Sequence, residues 1–371
     1  MAPLLSYQPF KAVATLCLIL SVPPYLALYS LLNLPRSRRP IPQWSLKTVL
    51  GTKFLQILFK YYTKVQFKPT IRTQPGSLKD RLVAIPPAKP SLYKGVLQNT
   101  GAIQPATVYG IWYPRVYNAD QHSTVVIHFQ GGAYVLAAPP EDVAPTPSRI
   151  YSQKLGALTF LAQYRVSRTE TTRFPAALTD AVTFYQWVLS LGISAQNIII
   201  SGDSAGGNLA LALLRYIENH GAENLLPVPR GALLWSPWVD LSAASPAKYA
   251  SSPSLATDFV SPGLIQWGKA AFLPVPSQSG PPEDTEPYTS PLRFPFRCRT
   301  PLFIQAGTAE LLHGEIAELA ERMQKVDGNR VRFWEVEGAP HDVILCGHVF
   351  GMVGEAEECA ERAAEFFGFS D

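Results

Sequence analysis

The stretch Asn197-Ile-Ile-Ile-Ser201-Gly202-Asp203-Ser204-Ala205-Gly206-Gly207-Asn208, continued by Leu209-Ala-Leu-Ala-Leu-Leu214, changes period in its middle. A short β-branched apolar run gives way to a helical pattern, and the junction is G-x-S-x-G. At such a corner a serine sits in a strained turn with its Oγ lifted above the sheet. The flanking glycines leave no side chains to clash across the turn. The following helix starts at the serine, so its first N–H groups face any negative charge that develops there. A phosphate-binding loop would need G-x-G-x-x-G or a terminal Gly-Lys-Ser/Thr, and neither is present.

Outward from this corner, apolar runs alternate with amphipathic segments. The runs are Thr107–Tyr113, Thr124–Phe129, Leu158–Gln163, Asn197–Ser201, Gly231–Leu234, Leu302–Gln305 and Val331–Val336. Between them lie Leu178–Leu189, Asn208–Ile217, Glu315–Val326 and Glu355–Phe367. This alternation predicts an α/β fold, a mostly parallel sheet with helices on both faces. Two stretches interrupt it. Pro139–Ser148 is proline-rich, and Ser242–Pro291 reads as an insertion above the sheet, a lid.

Other predicted strand ends offer partners for Ser204. The strand Val125–Phe129 runs into Gln130-Gly131-Gly132-Ala133-Tyr134, a turn able to aim backbone N–H groups at a tetrahedral oxygen together with that of Ala205. After Val331–Val336 comes Glu337-Gly-Ala-Pro-His341, which presents an imidazole; His348 is the reserve. After Leu302–Gln305 comes Gly307-Thr-Ala-Glu310, a carboxylate to orient that imidazole. Glu315, Asp342 and Asp258 are weaker candidates for the acid, and Asp203 lies too near the serine for that role.

Taken together these segments resemble the hormone-sensitive-lipase-like α/β-hydrolases. Gly202–Asn208 is similar to that family's nucleophile signature. So are Tyr164-Arg165-Val166 with Phe174-Pro-Ala-Ala-Leu-x-Asp180, and Ser236-Pro-Trp-Val-Asp240. The likeness covers roughly 260 residues, from Thr107 to about Phe367. It implies an α/β-hydrolase fold and a serine carboxylester hydrolase with Ser204 as nucleophile, His341 as base and Glu310 as acid. Gly131, Gly132, Ala133 and Ala205 would form the oxyanion hole, with no metal or organic cofactor. Two departures stand out: Gln130 where the family's H-G-G-G/A motif has histidine, and glutamate rather than aspartate at 310. Gln130 keeps a second reading open, a non-hydrolytic enzyme of the same fold that catalyses condensation, cyclisation or dehydration. A third is a non-catalytic binding module.

The chain has 371 residues, a net charge of +4 and 16% charged residues, with 7 Trp, 16 Tyr and 18 Phe, which excludes a disordered chain. Four cysteines without a C-x-x-C pair exclude a zinc framework. The mild total hides an asymmetry: Met1 to Lys79 holds eleven basic residues and no acidic one, whereas the remainder is net −7.

Ala12–Leu34 is uncharged and long enough to span a bilayer, despite Pro23 and Pro24. It predicts a single-pass anchor, expected at the endoplasmic reticulum. The cations Arg36, Arg38 and Arg39 place the globule in the cytosol. A cleaved signal peptide, for which Ala27-Leu28-Tyr29 is a poor site, and a buried core helix are the alternatives. Trp44–Phe67 is basic and amphipathic; it reads either as a helix on an anionic membrane surface or as a cap over the active site. The expected division is thus an anchor over 1–40, a cap segment over 41–105 and a hydrolase domain over 106–371 with its lid at about 242–291. Expected partners are a small apolar ester and membrane lipid, not nucleic acid.

Overall fold

A computed structural model describes residues 3–68, 71–98, 101, 103–119, 124–224, 226–242, 248–275 and 285–369. Its centre is an eight-stranded sheet: β1 (Leu82–Ile85), β2 (Val108–Tyr113), β3 (Thr124–Phe129), β4 (Ala157–Gln163), β5 (Ile198–Asp203), β6 (Gly231–Trp235), β7 (Leu302–Gly307) and β8 (Val331–Val336). Their spatial order is β1-β2-β4-β3-β5-β6-β7-β8. The pairs β1–β2 and β2–β4 are antiparallel, and every other pair is parallel. Seven strands fall where the apolar runs predict them. The short edge strand β1, Leu82-Val-Ala-Ile85, lies outside the predicted runs.

The inner parallel strands are buried along nearly their whole length, as strands covered on both faces must be, and their sequences are correspondingly unbroken apolar runs. Edge strand β8 is only half covered and alternates. The helices Ala176–Ser190, Ala205–Asn224, His313–Gln324 and Val353–Phe367 enclose the sheet. One expectation is corrected. The proline-rich stretch at 139–148 is helical over Pro140–Val143 and Pro145–Leu155, because prolines in a helix's first turn lack an N–H that would be unpaired there anyway.

Register aligns the strand ends. Phe129 pairs with Gly202, Asp203 with Trp235, and Gly307 with Val336. The loops leaving β3, β5, β6, β7 and β8 therefore emerge at one level, at the carboxyl edge where open parallel sheets bind ligands. The Arg165 backbone and guanidinium donate to the buried Asp180 carboxylate at 2.8 to 3.0 Å, which locks the loop after β4 onto the helix Ala176–Ser190.

The apolar leader forms α1 (Phe10–Leu32), with Pro23 and Pro24 inside it. The amphipathic segment forms α2 (Leu46–Val65), capped by the Ser45 hydroxyl. Trp44, Val49 and Leu55 join the core that the sheet builds. Trp44 Nε1 donates to Gly338 O at 2.6 Å, Thr48 Oγ1 to Phe350 O at 3.0 Å, and Gln56 Nε2 to Asp258 O at 2.9 Å. Of the lid stretch, the described part holds the helix Pro262–Phe272; residues 243–247 and 276–284 lie outside the described residues.

Candidate active site

Ser204 occupies the corner after β5 with φ of 51°, a left-handed conformation that costs a non-glycine residue of order 1 kcal/mol or more. The turn is held by tertiary bonds: Ser204 N donates to Trp235 O at 2.9 Å, and Ser204 O accepts from Trp238 N at 2.9 Å. It is also too tight for side chains around it. A Cβ on Gly206 would stand 1.9 Å from Phe129 O, and one on Gly202 would stand 2.3 Å from Gly206 O.

The loops after β7 and β8 meet at Asp258, which accepts from Leu311 N and His341 N. His341 Nδ1 and Glu310 Oε2 are 2.6 Å apart, with both side chains buried. Glu310 Oε1 accepts from Gly307 N at 3.0 Å, so the carboxylate is fixed by its own turn. Burial by itself pushes the imidazole pKa down. The hydrogen bond and charge of Glu310, with the charges of Asp258 and Asp203, outweigh it and hold His341 above its usual 6.5. The other ring nitrogen, Nε2, has no hydrogen-bond partner among the described residues. His341 and Ser204 line the same cavity of about 340 Å³.

The weaker candidates take other places. Asp258 accepts backbone N–H groups from Phe259 at 2.7 Å, Leu311 at 2.6 Å, and Val260 and His341 at 3.3 Å, so it knits lid, acid loop and base loop together. Burial raises its carboxyl pKa to about 6, with Glu310 adding to the shift and His341 opposing it. Glu315 is bound by Tyr249 and Lys248. His348 lies exposed on a helix and donates to its own turn at Leu345 O.

The loop Gln130–Tyr134 is built for backbone display. Gly132 (φ 110°), Ala133 (52°) and Tyr134 (62°) all have positive φ. Tyr134 anchors it: the hydroxyl donates to Asn208 Oδ1 at 2.7 Å, and the ring stacks on Phe272 of the lid with centroids 3.6 Å apart. Asn208 in turn donates to Trp238 O at 2.8 Å and Thr289 O at 3.0 Å. Gly132, Ala133 and Gln130 line the cavity beside Ser204.

Gly131 is a correction. Its N–H donates to Asp203 Oδ2 at 2.7 Å and is not free for an oxyanion. A Cβ there would stand 2.3 Å from that oxygen, so only glycine fits.

Asp203 thereby braces the oxyanion loop. Its other oxygen lies 3.1 Å from buried His128 Nε2, close enough for an ion contact but off the line of a hydrogen bond. Burial, then the charge of Asp203 and a hydrogen bond with it, hold the Asp342 carboxyl well above the usual carboxylate range. The sequence assigned no role to His128 and did not pair these carboxyls: Asp342 was a weaker candidate for the acid and Asp203 a brace of the serine corner. Their only sequence signal was polar residues placed where a buried strand end and a loop would otherwise be apolar.

The cavity walls are apolar. Phe59, Tyr62 and Phe67 come from α2 and the residues after it, and Phe259, Leu264 and Ile265 from the lid. Phe59 and Tyr62 of the amphipathic segment thus line the cavity that Ser204 and His341 share.

Comparison with known proteins agrees with this architecture. Residues 126–345 match the family model described as alpha/beta hydrolase fold. An esterase of Acinetobacter venetianus is 27% identical over 278 residues, covering 74% of this chain and 86% of its own. An acetyl-hydrolase of Streptomyces hygroscopicus is 29% identical over 217 residues, covering 58% and 67% respectively. A crystal structure of an esterase from the bacterial hormone-sensitive lipase family superposes with a TM-score of 0.60 at 22% identity, covering 87% of this chain and 97% of that one.

Proposed function

We propose that this chain, which belongs to the alpha/beta hydrolase fold family as an esterase-type member, is a membrane-attached serine hydrolase that cleaves a carboxylic ester of an apolar substrate through an acyl-enzyme. One observation carries the mechanism: a buried imidazole held at 2.6 Å by Glu310, with no partner for Nε2 among the described residues and with His341 lining the cavity of Ser204. In this reading Ser204 Oγ attacks the ester carbonyl while His341 Nε2 takes its proton. The Glu310 carboxylate keeps Nδ1 protonated and stabilises the imidazolium. The tetrahedral oxyanion is received by the N–H groups of Gly132, Ala133 and Ala205. His341 then gives its proton to the leaving alcohol, and a water deacylates Ser204 by the same route.

The apolar walls from α2 and the lid support an apolar acyl or alcohol group. The helix α1 is, among the described residues, the one long and apolar enough for a membrane, and it supports the attachment. The division into leader (1–40), cap (41–105) and hydrolase domain (106–371, lid about 242–291) is part of this proposal. A fluorophosphonate probe tests the chemistry: it should label the wild type at Ser204 and leave Ser204→Ala unlabelled. Turnover of p-nitrophenyl acetate by wild type without labelling of Ser204 would overturn the acyl-enzyme at Ser204, and absence of both labelling and turnover would favour a non-hydrolytic use of His341.

A further inference from the structure

The sequence suggests an anchor that crosses the bilayer, yet α1 is not a free stalk. Its half-buried positions Lys11, Thr15, Leu18, Val22, Leu26 and Tyr29 recur at steps of three and four along the helix, the stripe of a helix docked along its length. The partner is α2, running antiparallel. Lys11 Nζ lies 6.0 Å from the centroid of the Phe67 ring, Thr15 Oγ1 is 2.6 Å from Tyr61 Oη, and Lys53 Nζ lies 5.0 Å above the Tyr29 ring. From Lys11 to Tyr29 the docked length is about 27 Å at 1.5 Å per residue.

The opposite side of α2 is built into the catalytic domain. A Cβ on Gly51 would stand 2.6 Å from Val349 O, and Gln56 holds the lid at Asp258. With α2 thus fixed, a docked α1 that crossed a hydrocarbon core of ~30 Å would drag α2 into it. The exposed Lys60 and Lys64, and part of the catalytic domain, would follow. The outer face of α1 is meanwhile bare and apolar, with Val13, Leu16, Leu20, Leu28 and Leu31 each more than half exposed. Exposed cations border the helix pair at Arg36, Arg38, Lys60 and Lys64, and no acidic residue precedes Asp80.

We infer that α1 lies in the plane of an anionic bilayer, both its ends on the side of the catalytic domain, rather than crossing it. The apolar face enters the acyl boundary and the lysines and arginines meet the headgroups. The inference rests on the membrane attachment proposed above and replaces the single-pass topology. It also puts the α2 wall of the substrate cavity one helix away from lipid.

The test is cell-free synthesis of the full chain beside preformed sealed vesicles of phosphatidylcholine with 30% phosphatidylserine (about three lipids in ten, enough for a strong surface potential). Ser6→Cys and Ser37→Cys are made singly in a Cys17→Ser background, the three remaining cysteines being buried. After flotation, a membrane-impermeant maleimide should label both positions without detergent, and chains should float at least tenfold less with phosphatidylcholine alone. Protection of Ser6→Cys until detergent is added would establish crossing and overturn this inference while leaving attachment intact. Equal flotation on neutral vesicles would overturn the anionic partner. Absence of flotation would overturn attachment itself. Fluorophosphonate labelling in each sample verifies the fold independently of topology.

Discussion

The strand-end loops and the leader hairpin are held by different physics. Around Ser204, buried polar bonds join distant segments: Asp203 to Gly131, Tyr134 to Asn208, Asn208 to Trp238 and Thr289, Asp258 to Leu311 and His341. In the leader, α1 meets α2 through an apolar stripe with few polar ties, and its outer face meets none of the described protein. Directional bonds in a low dielectric fix atoms to fractions of an ångström, and each is costly to break. Apolar contact is tolerant of position. The loops are thus suited to chemistry, and the hairpin to deciding what reaches it.

Substitutions can separate these roles. The largest effect is expected for Ser204→Ala, which should lower kcat on p-nitrophenyl acetate by on the order of 10⁴-fold or more while leaving urea unfolding little changed. A smaller loss, about 10²- to 10⁴-fold, is expected for Glu310→Gln, where an amide no longer enforces the imidazole tautomer. That variant also carries a pH signature. His341 must be neutral to accept a proton, and its folded pKa lies above 6.5, so wild-type kcat/KM should fall as pH drops through a value above 6.5. Without the Glu310 carboxylate the acid limb should move to lower pH. A limb that stays put would remove Glu310 from its role.

Asn208→Ala probes stability more than rate. It leaves the Trp238 and Thr289 carbonyls and the Tyr134 hydroxyl without their partner. A loss of about 2–4 kcal/mol is expected from urea denaturation of the membrane-free chain in mild detergent. A loss below about 0.5 kcal/mol would mean that the loops do not depend on this knot.

The smallest effect is expected in the hairpin of α1 and α2. Phe59→Ala removes one apolar wall, so KM for a long-chain p-nitrophenyl ester should rise about tenfold, with kcat on the acetate within about threefold. Equal changes on both esters would blur the distinction between loops and hairpin.

The strand and helix pattern, the serine corner and the order serine, acid, histidine were legible because each is local: a period, a glycine pair or a loop after an apolar run. The strand β1 was not, since four residues at an edge give too short a pattern, and the helix at 145–155 hid behind prolines that its first turn accepts. Gly131 was legible as a required glycine but not in its use. Both an oxyanion donor and a carboxylate partner call for an unsubstituted backbone N–H, and only the position of Asp203 distinguishes them.

By itself the sequence determined the α/β-hydrolase class, the residues brought to the carboxyl edge of the sheet, and the presence of an apolar basic leader. The α/β alternation follows from periodicity and the leader from composition, which any packing must respect, whereas the hydrolase class is what the resemblance of the motifs implied. Tertiary structure decided which backbone N–H groups stay free beside Ser204, that Asp258 ties three loops, and that α1 lies along α2 instead of standing away from it. These depend on which buried polar groups find each other and which apolar faces meet. Residues far apart in the chain settle such matters only once they are packed together.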